Sequence, residues 1–141
     1  MTNKIKFVYV AHPYGGKPEN KKAVEQIIRG LNSGDHPMLT REIPAFHTTM
    51  HPLEQAISKV QADELIHATY QSSIHQLGFM YEDIPYVTGL QKCLAMLSRC
   101  DMLLLCGDWK HSKGCMAELG FAMARHMPII FENKDDYYDL I

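Results

Sequence analysis

Long apolar runs are missing from this sequence. The run Met102 to Cys106 is five residues, far short of the roughly 20 that cross a bilayer, and it reads as a buried strand. The opening Met1-Thr-Asn-Lys-Ile-Lys-Phe7 has no apolar stretch of signal-peptide length, so a cytoplasmic location and no membrane partner are expected. Cysteine is sparse. Cys93, Cys100, Cys106 and Cys115 form no C-x-x-C pair, which speaks against a four-Cys zinc site and for free thiols in or near the core. An excess of one charge is lacking too. Fourteen Lys and Arg against sixteen Asp and Glu give a net charge of −2, with the eight His neutral, which argues against a surface that coats a nucleic acid polymer. There is no internal repeat and no low-complexity tract. Neither G-x-G-x-x-G nor a P-loop with its Lys-Ser/Thr pair occurs.

What is present is ordinary for one globular domain. Its 141 residues are 46% hydrophobic and 21% charged, enough to bury a core. Ile5 to Ala11 is rich in β-branched and aromatic residues and reads as the first strand. The loop His12-Pro13-Tyr14-Gly15-Gly16-Lys17-Pro18 follows. Ala23, Val24, Ile27, Ile28 and Leu31 then have helical spacing, giving a helix from about Asn20 to Leu31. Strand, glycine-bearing loop and helix form the opening of a nucleotide-binding βα unit. The loop is either a phosphate cradle or a tight turn that uses glycine for positive φ.

Residues 35–85 are the least regular. His36-Pro37, Ile43-Pro44 and His51-Pro52 interrupt the first part, where one short strand at most is expected. Behind Pro52, Leu53, Ala56, Ile57 and Val60 have helical spacing, and a second helical piece is expected over Glu64 to Gln76, with a break from Gly78 to Pro85. His47 and His51 could share a helix face, with His67 and His75 further on. The Pro-broken loop at His47 and the want of a third ligand argue for solvated or core-edge histidines, and no metal is expected. The section reads as a variable lid or subunit-interface insertion within a single domain spanning residues 1–141.

Thr88-Gly89-Leu90 opens a helix to about Arg99, and Met127 to Phe131 is a further short strand. The acidic, aromatic stretch from Glu132 reads as a solvated terminus. Alternating strands and helices imply an α/β fold: a small, doubly wound parallel sheet in a flavodoxin-like or Rossmann-like three-layer sandwich. Within it, Asp101 to Ala124 carries most of the chemistry. Ser112 can cap a helix that starts near Lys113. Glu118 sits just past the first turn, near the carboxyl end of the Met102 strand, where open α/β sheets bind ligands. A carboxylate, a hydroxyl and free helix N–H groups thus meet at one mouth.

These pieces resemble a known family. Val8-Tyr9-Val10-Ala11-His12-Pro13-x-x-Gly16-x-Pro18, Cys100-Asp101, Gly107-x-Trp109-x-x-Ser112-x-Gly114-x-x-x-Glu118, Ala122 and Met127-Pro128-Ile129-Ile130 look like the nucleoside 2-deoxyribosyltransferase superfamily, over residues 5–31 and 88–131. Nearest in pattern is a branch of uncharacterised, often phage-encoded domains with Gly-x-Trp-x-x-Ser-x-Gly. The 2′-deoxynucleoside 5′-monophosphate N-glycosidases are similar as well. The resemblance implies that Glu118 is a nucleophile attacking C1′ of the sugar. It implies that Ser112, Gly114 and the loop His12, Pro13, Tyr14, Gly15, Gly16 and Lys17 hold a 5′-phosphate, with Lys113 adding charge. It implies a nucleotide or nucleoside as small-molecule partner, no cofactor and a homo-oligomer, dimer or larger. If the chain is phage-encoded, its place is the host cytoplasm.

Two positions depart from the family pattern. His12 stands where the family has Gly, and it contacts phosphate or base or narrows the pocket. Cys93 stands where the family has the Asp that handles the leaving base, and a thiol of pKa about 8.5 is a poor acid. Asp108 or His111 takes that role, or no residue does. Asp101, at the far end of its strand, reads as structural. Trp109 either stacks on a base or covers the strand end. The expected function is cleavage of the N-glycosidic bond of a nucleoside 5′-monophosphate or related nucleotide, with Glu118 and Asp108 as catalytic residues. The alternative is a sensor or sequestering protein that binds a nucleotide without cleaving it, which Cys93 favours and Glu118 opposes.

Overall fold

The computed structural model describes residues 5–40, 43–48, 55–60, 65, 67–72, 85–133 and 135–136. Six strands lie among these residues: β1 (Phe7–Ala11), β2 (Ile43–Thr48), β3 (Gln55–Val60), β4 (Thr69–Gln71), β5 (Met102–Leu105) and β6 (Ile129–Phe131). Three α-helices accompany them among the described residues: α1 (Pro18–Ser33), α2 (Tyr86–Leu97) and α3 (Lys113–Ala124). The strands form one sheet in the order β3-β2-β6-β5-β1-β4. Its four strands β4, β1, β5 and β6 are mutually parallel, and β2 and β3 extend it antiparallel beyond β6. The architecture is the expected α/β three-layer fold.

The layers follow from side-chain alternation. Val8, Val10, Met102, Leu104 and Ile130 pack on one face with Val24 and Leu31 of α1. Tyr9, Ala11, Leu103, Leu105 and Phe131 pack on the other with Leu97 of α2 and Leu119 and Ala122 of α3. β5 lies between two parallel neighbours and is covered on both faces. All four of its residues are buried for that reason, each leucine contributing about 1.5–3 kcal/mol. α1 starts with Pro18, whose fixed φ suits a first turn. It ends at Gly34, with φ 85°, where Asp35 N–H reaches back 2.9 Å to Gly30 O.

The parallel strands leave β1 in opposite directions: β4 lies on one side, β5 and β6 on the other. The connection reverses between β1 and β5, so the crevice beyond their carboxyl ends is the expected ligand position. That edge is closed by Cys106 N–H donating to Ala11 O at 2.9 Å. At the opposite edge Asp101 is structural, as the sequence implies. Its Oδ2 accepts from Lys6 N at 2.8 Å and Phe7 N at 3.0 Å, tying the start of β1 to β5. Asp101→Ala is expected to lower stability by about 1–2 kcal/mol in urea unfolding. A change within about 0.5 kcal/mol would show the contact to be idle.

Several expectations fail in the middle and at the end of the chain. The helix expected behind Pro52 is instead β3, whose six residues pair from Gln55↔Thr48 to Val60↔Ile43. A neighbouring strand satisfies its backbone, and that tertiary pairing overrides the local helical spacing. The helix expected over Glu64 to Gln76 gives way at Thr69–Gln71 to β4, which pairs with β1. The section 35–85 therefore supplies an edge strand of the parallel sheet as well as the antiparallel extension. His47 lies on strand β2 and so on no helix face. The break from Gly78 to Pro85 lies outside the described residues, apart from Pro85. So do His51 and His75, while His67 is exposed. The stretch after Glu132 is anchored rather than solvated at Asp136, which is buried.

Candidate functional site

Ser112 adopts an extended conformation, and its Oγ accepts from Cys115 N–H at 3.2 Å, so it caps α3 as expected. Once the helix starts there, its register is fixed. Cys115, Glu118, Leu119 and Ala122 fall on one stripe and face the sheet. Glu118 is thereby carried into the interior, with 6% of its surface exposed. The hydroxyl of Tyr9, from the β1 side of the same layer, hydrogen-bonds its carboxylate. Among the described residues Oε2 of Glu118 is buried with no hydrogen-bond partner. Burial pushes the Glu118 pKa up to about 7, against the lowering effect of the Tyr9 bond. A carboxyl near half-ionised at neutral pH, with one oxygen uncommitted, is suited to nucleophilic or proton-transfer chemistry.

The loops at the crevice approach closely. Gly107, just past β5, has φ 59°, and a Cβ there would stand 2.7 Å from Nε2 of His12. His12 directly follows β1, and its Nδ1 lies 2.7 Å from Pro13 O. Gly15 and Gly16 have φ 58° and 73°. Their turn is closed by Lys17 N–H donating to Tyr14 O at 3.0 Å, and Asn20 Nδ2 donates to the same oxygen at 3.0 Å. The loop thus makes a tight glycine turn. Its tip is open: Gly15, Gly16 and Lys17 are exposed, and a Cβ on Gly15 would meet nothing within 4 Å.

The rim is built by residues 107–112. Asp108 is exposed, and its carboxylate lies 2.7 Å from Nδ1 of His111. Gly114 lies half-buried in the first turn of α3. Trp109 is 3% exposed, and its ring packs 5.4 Å from Phe131. Its Nε1 donates to Oδ2 of Asp136 at 2.9 Å, and Lys110 Nζ lies 3.2 Å from the other carboxylate oxygen. Of the two readings of Trp109, covering the strand end is the one this geometry supports, because the indole is a core side chain.

Cys93 is half-buried on α2, and Cys100, Cys106 and Cys115 are buried free thiols. Burial first, then Asp101, pushes Cys100 up to about 11 despite the hydrogen bond from Gln71. Burial pushes Cys115 up to about 12 and Cys106 upward as well, so these are inert thiols at neutral pH. Among the described residues no three His, Cys, Asp or Glu side chains are grouped to hold a metal ion, and no helix is long and apolar enough to cross a membrane.

The motif at β1 contains Tyr9 but assigns it no role, and no motif includes Asp136. Strand alternation could have put Tyr9 on the same face as Ala11, but its partner is distant in the chain. Asp136 carries no pattern at all. The same is true of His36, whose Nε2 sits 3.4 Å from Glu132 Oε2 and whose Nδ1 accepts from Met38 N–H at 3.1 Å.

Residues 44–131 match the family described as a domain of unknown function (DUF4406), and the chain belongs to that family. No curated protein matches the sequence.

Proposed function

We propose that this DUF4406 member is an enzyme of the nucleoside 2-deoxyribosyltransferase type that cleaves the N-glycosidic bond of a nucleoside 5′-monophosphate or related nucleotide. The observation that carries the reading is Glu118: a buried carboxyl with an uncommitted Oε2, on the helix that follows β5 at the point where the strand order reverses. In this reading Oε2 attacks C1′ while Tyr9 steadies the carboxylate. The base departs with the bonding electron pair, and a glycosyl ester forms. Water or a second base then resolves it with net retention. The exposed glycine turn, Lys17, Ser112 and the amino end of α3 bind the 5′-phosphate, since backbone N–H groups and a helix N-terminus favour an anion.

A second reading is nucleotide binding without cleavage. Cys93 favours it, as a half-buried thiol where the resemblance calls for an acid. Incubation with a panel of ribo- and deoxyribonucleoside 5′-monophosphates separates the two. Free base is expected by chromatography from at least one substrate, with the rate falling at least about 10³-fold in Glu118→Ala. No base from any nucleotide, together with a rise in melting temperature with one of them, would establish the binder. Base release undiminished in the variant would remove Glu118 from the chemistry.

A further inference from the structure

In the glycosidase reading, the proton needed by the departing base still lacks a donor. Asp108 is 69% exposed and paired with His111, and Cys93 is a thiol. His12 is differently placed. It follows the last residue of β1, and its ring lies against Gly107 beyond the end of β5, so it bridges the seam at which the strand order reverses.

The hydrogen bonding of this ring fixes its chemistry. Nδ1 is 2.7 Å from Pro13 O, and a carbonyl oxygen can only accept. Nδ1 must therefore carry a hydrogen, and the lone pair of the neutral ring is on Nε2. Nε2 has no hydrogen-bond partner among the described residues. The residue facing it across the seam is Gly107, which offers no side chain, and a Cβ there would intrude to 2.7 Å. A half-buried ring nitrogen with a set tautomer and no partner is free to exchange one proton with a ligand in the crevice.

The geometry points to His12 as the general acid and base on the leaving-group side of Glu118, an assignment that rests on the glycosidase reading. In the first half-reaction the Oε2–C1′ bond forms as the C1′–N bond breaks. The bonding pair goes to the base nitrogen, and the protonated ring gives its Nε2 proton to the base. The ring becomes neutral and keeps its hydrogen on Nδ1. In the second half-reaction a water oxygen bonds to C1′ as the ester C1′–O bond breaks, and Nε2 takes the proton from that water. Glu118 is again a carboxylate, and His12 is again protonated.

The test compares the wild type with His12→Gln on two substrates. One is the nucleoside 5′-monophosphate that supports base release. The other is the matching 4-nitrophenyl furanoside 5-phosphate, whose phenolate departs without a proton. Loss of a general acid costs about 10²–10⁴-fold, so the ratio of kcat/KM for base release to kcat/KM for nitrophenolate release, which reports the first half-reaction alone, is expected to fall at least about 100-fold in the variant. Equal losses in kcat/KM on both substrates would assign His12 to phosphate binding or to the fold, and overturn the inference. No loss on either would also overturn it. A wild type that releases nitrophenolate through Glu118 but no base from any nucleotide leaves a glycosidase without this acid. A wild type that releases neither removes the underlying reading and the inference with it. Should His12→Gln fail to fold, long-range ¹H–¹⁵N spectra of the wild type still decide, because a neutral ring protonated on Nε2 would contradict the required tautomer.

Discussion

Replacing Glu118 with Gln is expected to stabilise the protein above pH 7 while ending base release. The carboxyl is 6% exposed, and burial raises its pKa from an ordinary 4.5 to about 7, the Tyr9 hydrogen bond offsetting part of the rise. Across this window the native state keeps a proton that the unfolded chain gives up. Stability from this group is therefore full below about pH 4.5, falls as pH rises, and is lost above about pH 7. The difference corresponds to about 3 kcal/mol. The amide that replaces the carboxyl is neutral throughout, so urea unfolding should show the variant and the parent close at pH 4.5 and the variant ahead by up to about 3 kcal/mol at pH 8. Parallel pH profiles for the two proteins would mean that Glu118 is hydrated in the native state.

Gly107→Ala is expected to cost about 2–3 kcal/mol, from two separable sources. The first is the backbone: φ is 59°, and an L-residue in the left-handed region loses about 1–2 kcal/mol. The second is contact. The new methyl would lie 2.7 Å from His12 Nε2, so the ring must move, and its bond to Pro13 O is lost for about another 1 kcal/mol. A double-mutant cycle with His12→Ala separates them. In that background the contact cost disappears, and about 1–2 kcal/mol of backbone cost remains. Strict additivity of the two substitutions would show that the ring and the glycine do not meet.

Much of this arrangement is written locally in the chain. β1, β5 and β6 are short runs of β-branched or apolar residues. α1 and α2 show helical spacing, and Ser112 announces the start of α3. From that cap the burial of Glu118 follows by counting, since it shares a stripe with Cys115, Leu119 and Ala122. What is not local is not legible. Gln55–Val60 has helical spacing and becomes a strand because β2 pairs with it. Thr69–Gln71 is three residues long, too short for any period to register, yet it completes the parallel sheet against β1. Tyr9 meets Glu118, and Trp109 meets Asp136, only after the sheet has brought distant segments together. The single tryptophan invites a base-stacking role from its position in the loop. Its neighbours Phe131 and Asp136, which bury it, are disclosed by the fold alone.

The central claim is that Glu118 becomes covalently attached to the sugar. The most direct measurement is mass spectrometry of the intact protein and its peptides after incubation with a 2-deoxy-2-fluoro nucleoside 5′-monophosphate. The fluorine withdraws electron density from C1′ and slows both half-reactions, so that a good leaving group lets the ester accumulate. The account predicts one added fluoroglycosyl phosphate mass, on the peptide bearing Glu118 and absent from Glu118→Gln. Base release from the unmodified nucleotide with no adduct, or an adduct on another residue, would contradict it.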